Sequence, residues 1–303
     1  MKQVVVLSGK GGTGKTSLTA ALVRLAGRCV AVDADVDAAN LALLMPGQDD
    51  PWRTFTAGRR ARIDPDLCVG CMRCSEECPF KAIRMGAAWI PVVDPLACEG
   101  CGICKQWCTP GAIRFEGHEA GVWTVRRTVW GPLVHAALHV GEDNSGKLVA
   151  QVRKEGARLG SAENIDLVLV DGPPGIGCPV HAAIGGADLV VAITEPGVAA
   201  AHDLERLLDL ARWFHVPAAI VLNKADLHPA ASADLRFMAA ARGVPVLVDL
   251  PFLPAVPRAL ARGRCLLEVE GLQEPLDACW AGIQRMLAGA PAPAEECRPA
   301  EPT

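Results

Sequence analysis

One octapeptide constrains this chain more than any other feature: Gly9–Thr16 reads GKGGTGKT. It satisfies G-x-x-x-x-G-K-[ST]. It sits between a short apolar run, Val4–Leu7, and a helix-like segment, Thr16–Ala26, that Gly27 stops. A strand, a glycine loop and a helix in that order form a phosphate cradle. The glycines let backbone N–H groups close around phosphate oxygens, and the helix N-terminus adds partial positive charge. Such a unit belongs to a parallel sheet. Further apolar runs, Cys29–Val32, Ile165–Val170, Leu189–Ile193, Ala218–Leu222 and Val246–Val248, supply the other strands. Most are apolar on both faces, as covered strands are. A second helix is expected over His202–His215, with Leu204, Leu207, Leu208 and Ala211 on one face. The alternation predicts an α/β fold: a doubly wound, mostly parallel sheet of the P-loop NTPase type.

The chemistry expected at this loop is that of MgATP. The binding set is Gly9, Gly11, Gly12, Thr13, Gly14, Lys15, Thr16 and Ser17. Lys15 is expected to reach the β- and γ-phosphates, and the Thr16 hydroxyl to ligate Mg²⁺. Asp171 ends an apolar run and precedes GPPGIG, which suits a carboxylate holding Mg²⁺ through water; a turn or cap role is the alternative. Asp33, Asp35 and Asp37 crowd one segment, DADVDAANL, and repel one another unless a cation or donors neutralise them. Asn223 and Asp226, in NKAD after the run AAIVL, are expected at a purine edge.

The α/β rhythm breaks between Arg59 and Gly117. This stretch holds eight of the 13 cysteines in two similar copies, DPDLCVGCMRCSEECPFKAIR and DPLACEGCGICKQWCTPGAIR. Cys68, Cys71, Cys74 and Cys78 have the spacing C-x₂-C-x₂-C-x₃-C, and Cys98, Cys101, Cys104 and Cys108 repeat it. That is the run of two-cluster bacterial ferredoxins, in which the fourth Cys serves the other cluster. One [4Fe–4S] cluster is therefore assigned to Cys68, Cys71, Cys74 and Cys108, and the other to Cys98, Cys101, Cys104 and Cys78. Zinc is the rival occupant. Pro110 falls one residue later than Pro79 would predict, which implies a local turn difference. The expected domains are residues 1–58 and 118–290 for a discontinuous ATPase, 59–117 for an inserted α+β ferredoxin-like domain, and 291–303 for a disordered Pro/Ala/Glu-rich tail.

Of the other cysteines, Cys29 reads as core, and Cys265, Cys279 and Cys297 lack ligand spacing. His135 and His139 share a helical spacing without a third ligand. A formal net charge of −4 gives no reason to expect nucleic acid. No segment resembles a leader or a membrane span. Thirteen cysteines in a chain of that kind point to metal or redox chemistry in a cytoplasmic setting.

KGGTGKT resembles the deviant Walker A motif of the MinD/ParA/Mrp class, which includes the nitrogenase iron protein and has the SIMIBI-type P-loop fold. The resemblance implies that Lys10 is the signature lysine, which reaches a partner's phosphates in an ATP-dependent homodimer. DADVDAANL is similar to the first switch, which gives Asp35 the role of activating water, and DGPPGIG to the second. GEDNSGKLV, DGPPGIGCPV and TEPGVAAAHDLERLL resemble the MinD-superfamily ATPases that carry an inserted ferredoxin domain, over residues 1–290. No basic amphipathic membrane anchor is visible. Cys178 lies seven residues after Asp171, an offset similar to that of a cluster ligand in the nitrogenase iron protein.

Two functions follow as expectations. The first is an ATPase whose nucleotide-driven switching serves electron transfer, or iron–sulfur or metallocofactor handling, for an unidentified redox partner protein. The alternative is a redox-sensing regulatory or scaffold ATPase of the MinD/ParA type without net electron transfer. Amide ligation, as in the related cobyrinic-acid diamide synthases, lacks the glutaminase domain it would need.

Overall fold

The computed structural model describes residues 1–142 and 145–289. The expected tail and Cys297 lie outside them. Twelve strands run β1 (Lys2–Ser8), β2 (Val30–Asp33), β3 (Gly47–Asp49), β4 (Arg53–Ile63), β5 (Ile83–Met85), β6 (Pro91–Val93), β7 (Ile113–Thr128), β8 (Gly131–Leu138), β9 (Leu167–Pro174), β10 (Leu189–Thr194), β11 (Ala218–Asn223) and β12 (Val246–Leu250). The helices are α1 (Lys15–Ala26), α2 (Leu41–Leu44), α3 (Arg73–Glu76), α4 (Ile103–Gln106), α5 (Ser145–Glu163), α6 (Cys178–Ile184), α7 (Val198–Trp213), α8 (Pro229–Ala241), α9 (Ala255–Leu260) and α10 (Gln273–Gly289).

The main sheet has the order β12-β11-β10-β1-β9-β2-β8-β7-β3. Every ladder from β12 to β8 is parallel. β7 and β3 then add antiparallel strands at one edge. Because side chains alternate across a strand, the run Val4–Leu7 serves both covers. Val5 and Leu7 pack in one core with Val149 and Leu204, from α5 and α7. Val4 and Val6 pack in the other with Leu18 and Ile283, from α1 and α10. All six expected apolar runs are strands, and α7 buries Leu204, Leu207, Leu208 and Ala211. α7 begins at Val198, after Gly197, rather than at His202.

The cysteine-rich insert grows from a two-stranded stem. β4 and β7 pair antiparallel from Arg53–Trp123 to Ile63–Ile113. The expected boundary residues, Arg59 and Gly117, face each other across this ladder, so no linker separates insert from body. β7 escapes a sequence reading because IRFEGHEAGVWTVRRT mixes charges and glycines into a strand of 16 residues. His135 lies within strand β8, so its helical spacing to His139 carries no meaning. Its ring instead meets Trp52 edge-on and lies 3.2 Å from Asp49.

Candidate functional site

The glycine loop joins β1 to α1 at the carboxyl end of the sheet, where ligands of open α/β sheets bind. Gly12 and Gly14 take left-handed φ values of 79° and 97°, which a side chain would strain. A Cβ at Gly9 would collide with Asp203. These conformations turn the loop around an open cavity of about 1420 Å³, including its mouth. Gly11, Gly12, Gly14, Lys15, Thr16 and Ser17 line it on one side, and Asp35, Asp37, Pro173 and Pro174 on the other. Lys15 is buried although charged.

Asp171 is fully buried, and Asp33 faces it across the β2–β9 ladder. Burial raises the pKa of Asp171, against Thr16, Lys15 and Thr19. One oxygen accepts from Thr19 Oγ1 at 3.2 Å, whereas Oδ2 has no hydrogen-bond partner. Thr13 Oγ1 is also buried without a partner. A buried carboxylate oxygen left unpaired beside Lys15 and Thr16 has the chemistry of a cation-binding position. Asp33 does different work. Its carboxylate accepts from the backbone N–H groups of Leu41 and Asp35, at 2.9 and 3.2 Å, and so folds the intervening loop. Burial and the neighbouring Asp171 raise its pKa well above the usual carboxylate range. Asp35 is half-buried at the cavity wall. Burial raises its pKa, Lys15 lowers it and Asp37 raises it again.

Two of the expected site residues are bonded within the chain. Lys10 has a partner of its own. Its Nζ lies 2.6 Å from Glu195, which also binds Lys224 at 2.9 Å. Glu195 was legible by the logic that picked Asp171, since it directly follows strand β10. The Asn223 amide makes one bond at each end. Nδ2 donates to the Thr13 carbonyl at 2.8 Å, and Oδ1 accepts from the Lys224 N–H at 3.0 Å. Asp226 accepts from the Phe252 N–H at 2.6 Å. Both residues brace loops at the carboxyl end of β11, and neither lines the main cavity.

In the insert, the two cysteine runs cross. Cys68, Cys71, Cys74 and Cys108 line one cavity of about 320 Å³, mouth included. Cys98, Cys101, Cys104 and Cys78 line another of about 300 Å³. The halves interlock through equivalent bonds: Asp64 N–H donates to the Ala112 carbonyl, and Asp94 N–H to that of Ala82. Met72 adopts the left-handed conformation that its twin, Gly102, also has. The turn around Pro110 matches that at Pro79, because Lys81 N–H bonds the Cys78 carbonyl and Gly111 N–H the Cys108 carbonyl. The expected turn difference is therefore absent from these bonds. Among the described residues no three His, Cys, Asp or Glu side chains converge on a single-ion site. Thiols spread around a void suit a multi-atom occupant better than one zinc ion. Burial raises the Cys104 thiol to about 11, aided by Cys98, Cys101 and the other run's Cys74.

Cys178 is exposed and opens α6. Cys29 and Cys279 are buried, and burial pushes each to about 12.

Comparison with known proteins adds a relationship to this geometry. The sequence profile of the CobQ/CobB/MinD/ParA nucleotide binding domain matches residues 4–267. The uncharacterized protein MJ0578 of Methanocaldococcus jannaschii is 34% identical over 75% of this chain and 79% of its own. The uncharacterized protein MJ0579 of the same organism is 29% identical over 74% of this chain and 80% of its own. Among solved structures, the cell division ATPase MinD of Pyrococcus furiosus superposes with a TM-score of 0.53 at 19% identity, covering 94% of this chain and 99% of that one. MinD of Pyrococcus horikoshii, complexed with Mg-ADP, gives 0.53 at 19% identity, covering 95% and 97%. No described helix is long and apolar enough to cross a membrane.

Proposed function

Since this chain belongs to the CobQ/CobB/MinD/ParA nucleotide-binding family of P-loop ATPases, we propose that it binds and hydrolyses MgATP at Gly9–Ser17 and thereby controls an iron–sulfur insert. The observation that carries the ATPase half is the unpartnered Asp171 oxygen, fully buried beside Lys15 and Thr16. A solved MinD relative carrying Mg-ADP supports the choice of ligand. Backbone N–H groups of the loop and Lys15 bind the phosphates. Thr16 and, through water, Asp171 would hold Mg²⁺, which supplies charge neutralisation there. Asp35 orients the attacking water from the cavity wall. Lys10 leaves Glu195 to meet the phosphates of a second copy, which makes ATP the agent of homodimer formation.

The insert half rests on the crossed thiol sets. Cys68, Cys71, Cys74 and Cys108 would hold one [4Fe–4S] cluster, and Cys98, Cys101, Cys104 and Cys78 the other, each supplying one-electron chemistry. The family relationship speaks for the regulatory form of this function, a MinD/ParA-type ATPase whose clusters sense redox state. Electron transfer or metallocofactor handling for a partner protein is the stronger claim. Cys74 and Cys104, which lie in different thiol sets, share one buried cluster, and this favours its electron-transfer form. The test is anaerobic purification with ATPase assay, iron and sulfide counting, and reduction potentials with and without MgATP. Eight iron and eight sulfide per chain are expected. Zinc in place of iron would remove the insert half, and absent ATP turnover would remove the other. Potentials that ignore nucleotide, with partner binding that follows it, would favour the regulator.

A further inference from the structure

The two cysteine runs are twins in sequence, but they meet the ATPase body differently. Arg60, on β4, donates to the backbone carbonyl of Cys98 and, through its other terminal nitrogen, to both oxygens of Glu142 at 3.1 and 3.2 Å. The ring of His118, on β7, lies 2.7 Å from the same carboxylate. The Glu142 side chain is only 3% exposed. Burial pushes its pKa up, but bonds from His118 and Arg60 outweigh this and hold it below the usual carboxylate range. No corresponding bond to the Cys68 carbonyl is found among the described residues. The glycines differ in the same way. Gly100 packs against the Arg59 carbonyl of the stem, and its twin Gly70 against the Trp89 carbonyl of the insert itself.

The helix that follows Glu142 in sequence, α5, packs against α6 and β9, which flank the nucleotide site. Glu142 stands three residues before α5. In the first turn of α5, a Cβ at Gly146 would touch Cys178, at 3.5 Å from its carbonyl. Cys178 closes the segment that begins at Asp171. A buried ion pair adds little stability over an apolar plug of the same size, but it fixes one register, and losing one partner strands a charge. The clamp thus fixes the second run against Glu142 in one register.

We propose that Arg60 and Glu142 are positioning residues that make the Cys98–Cys101–Cys104–Cys78 site the one of the two whose surroundings respond to nucleotide. In its spectroscopic form this rests on the cluster reading above; in its backbone form it does not. The experiment uses the full chain, prepared anaerobically with iron counted, and two readouts with and without MgATP. One is the paramagnetic resonance of the reduced clusters; the other is amide hydrogen exchange over residues 96–104 and 66–74. MgATP is expected to alter one cluster signal and to slow exchange in 96–104 but not in 66–74. Glu142→Gln is expected to keep its iron and lose both differences. Arg60→Lys, which keeps a charge but loses the guanidinium fork, provides the same test if Glu142→Gln fails to fold. Equal responses in both runs, no response, or a response that survives in the folded variants would overturn the clamp. Iron-free protein whose 96–104 amides still respond would remove the cluster reading and leave the clamp standing.

Discussion

The nucleotide end and the insert solve the same problem, presenting reactive groups at fixed positions, by opposite means. At the nucleotide end the site groups stand on a scaffold with a large apolar core. Val4–Leu7 and Leu18–Val23 of α1 are fully buried, and the site groups sit on the ends of strands whose cores are apolar. The insert has hardly any core of its own. Its buried cluster is Ala61, Cys74, Ala82, Ile83, Cys98, Cys104 and Ile113, so three of seven members are candidate ligands. Val69, Trp89 and Leu96 stay largely exposed. A unit of about 60 residues is marginal on its own, and bound metal commonly supplies the missing stability. The lesson is that the ATPase body keeps its core apart from its candidate ligands, whereas the insert builds much of its small core from them.

The sharpest way to break this contrast is to remove the occupant. With Cys74→Ala and Cys104→Ala combined, or after iron chelation, amides of residues 64–112 should lose their exchange protection at least about a hundredfold. Metal-held units owe on the order of 10 kcal/mol to their metal. Amides of β1 and β9 should keep theirs. Equal loss in both regions would show that insert and body fold as one, through the continuous stem strands.

The reciprocal change at the nucleotide end should spare both regions. Lys15→Ala is expected to lower ATP turnover about 10²–10³-fold, the cost of losing one well-placed charge at a phosphoryl group. Iron content should stay the same. Undiminished turnover would remove the P-loop from the mechanism.

Lys10 tests whether a site complete in its fold is also complete in its chemistry. It rests on Glu195 with 42% of its side chain exposed. Lys10→Ala should cut turnover about tenfold or more while the ATP affinity of the single chain stays within about threefold, because the ammonium reaches phosphate only in the dimer that turns ATP over. Sedimentation should show an ATP-dependent dimer for the parent chain. A parent chain that remains monomeric with ATP would confine Lys10 to its ion pair.

What the sequence discloses follows the same division. Strands apolar on both faces announce themselves, so the parallel half of the sheet and the P-loop were legible. So were the cysteine runs, whose spacing carries the chemistry. The stem was not. Strands β4 and β7 are long, mixed in polarity and partly exposed, and they look like loop until paired. Nor were the pairings of Lys10, Asn223 and Asp33. Glu195 stands at a readable strand end, but its pairing with Lys10, like that of Thr13 with Asn223, joins residues far apart in sequence, and the Leu41 N–H that Asp33 accepts belongs to no motif.

The smallest effect lies at the seam between the two regions, where β3 of the body pairs with β7 of the stem. Arg126 grips Asp49 with two bonds, at 2.7 and 2.9 Å. These bonds, opposed by burial and assisted by His135, lower the Asp49 pKa from 3.8 to about 2. A carboxylate lowered in the folded state stabilises it above the unfolded pKa, and that contribution fades as pH falls through the folded one. The pair is partly exposed, so Asp49→Asn should cost only about 1 kcal/mol at pH 7, or about 2–4 °C in melting temperature. Burial lowers the His135 pKa, and Asp49 opposes that shift. Charging of His135 on mild acidification should therefore hold the gap between parent and variant or widen it slightly. The gap should then close between about pH 4 and pH 2, as the parent's carboxylate takes up its proton. Melting curves over that range decide the matter. A gap that stays constant down to pH 2 would mean that the seam is held by β3–β7 pairing, with the ion pair only decorating it.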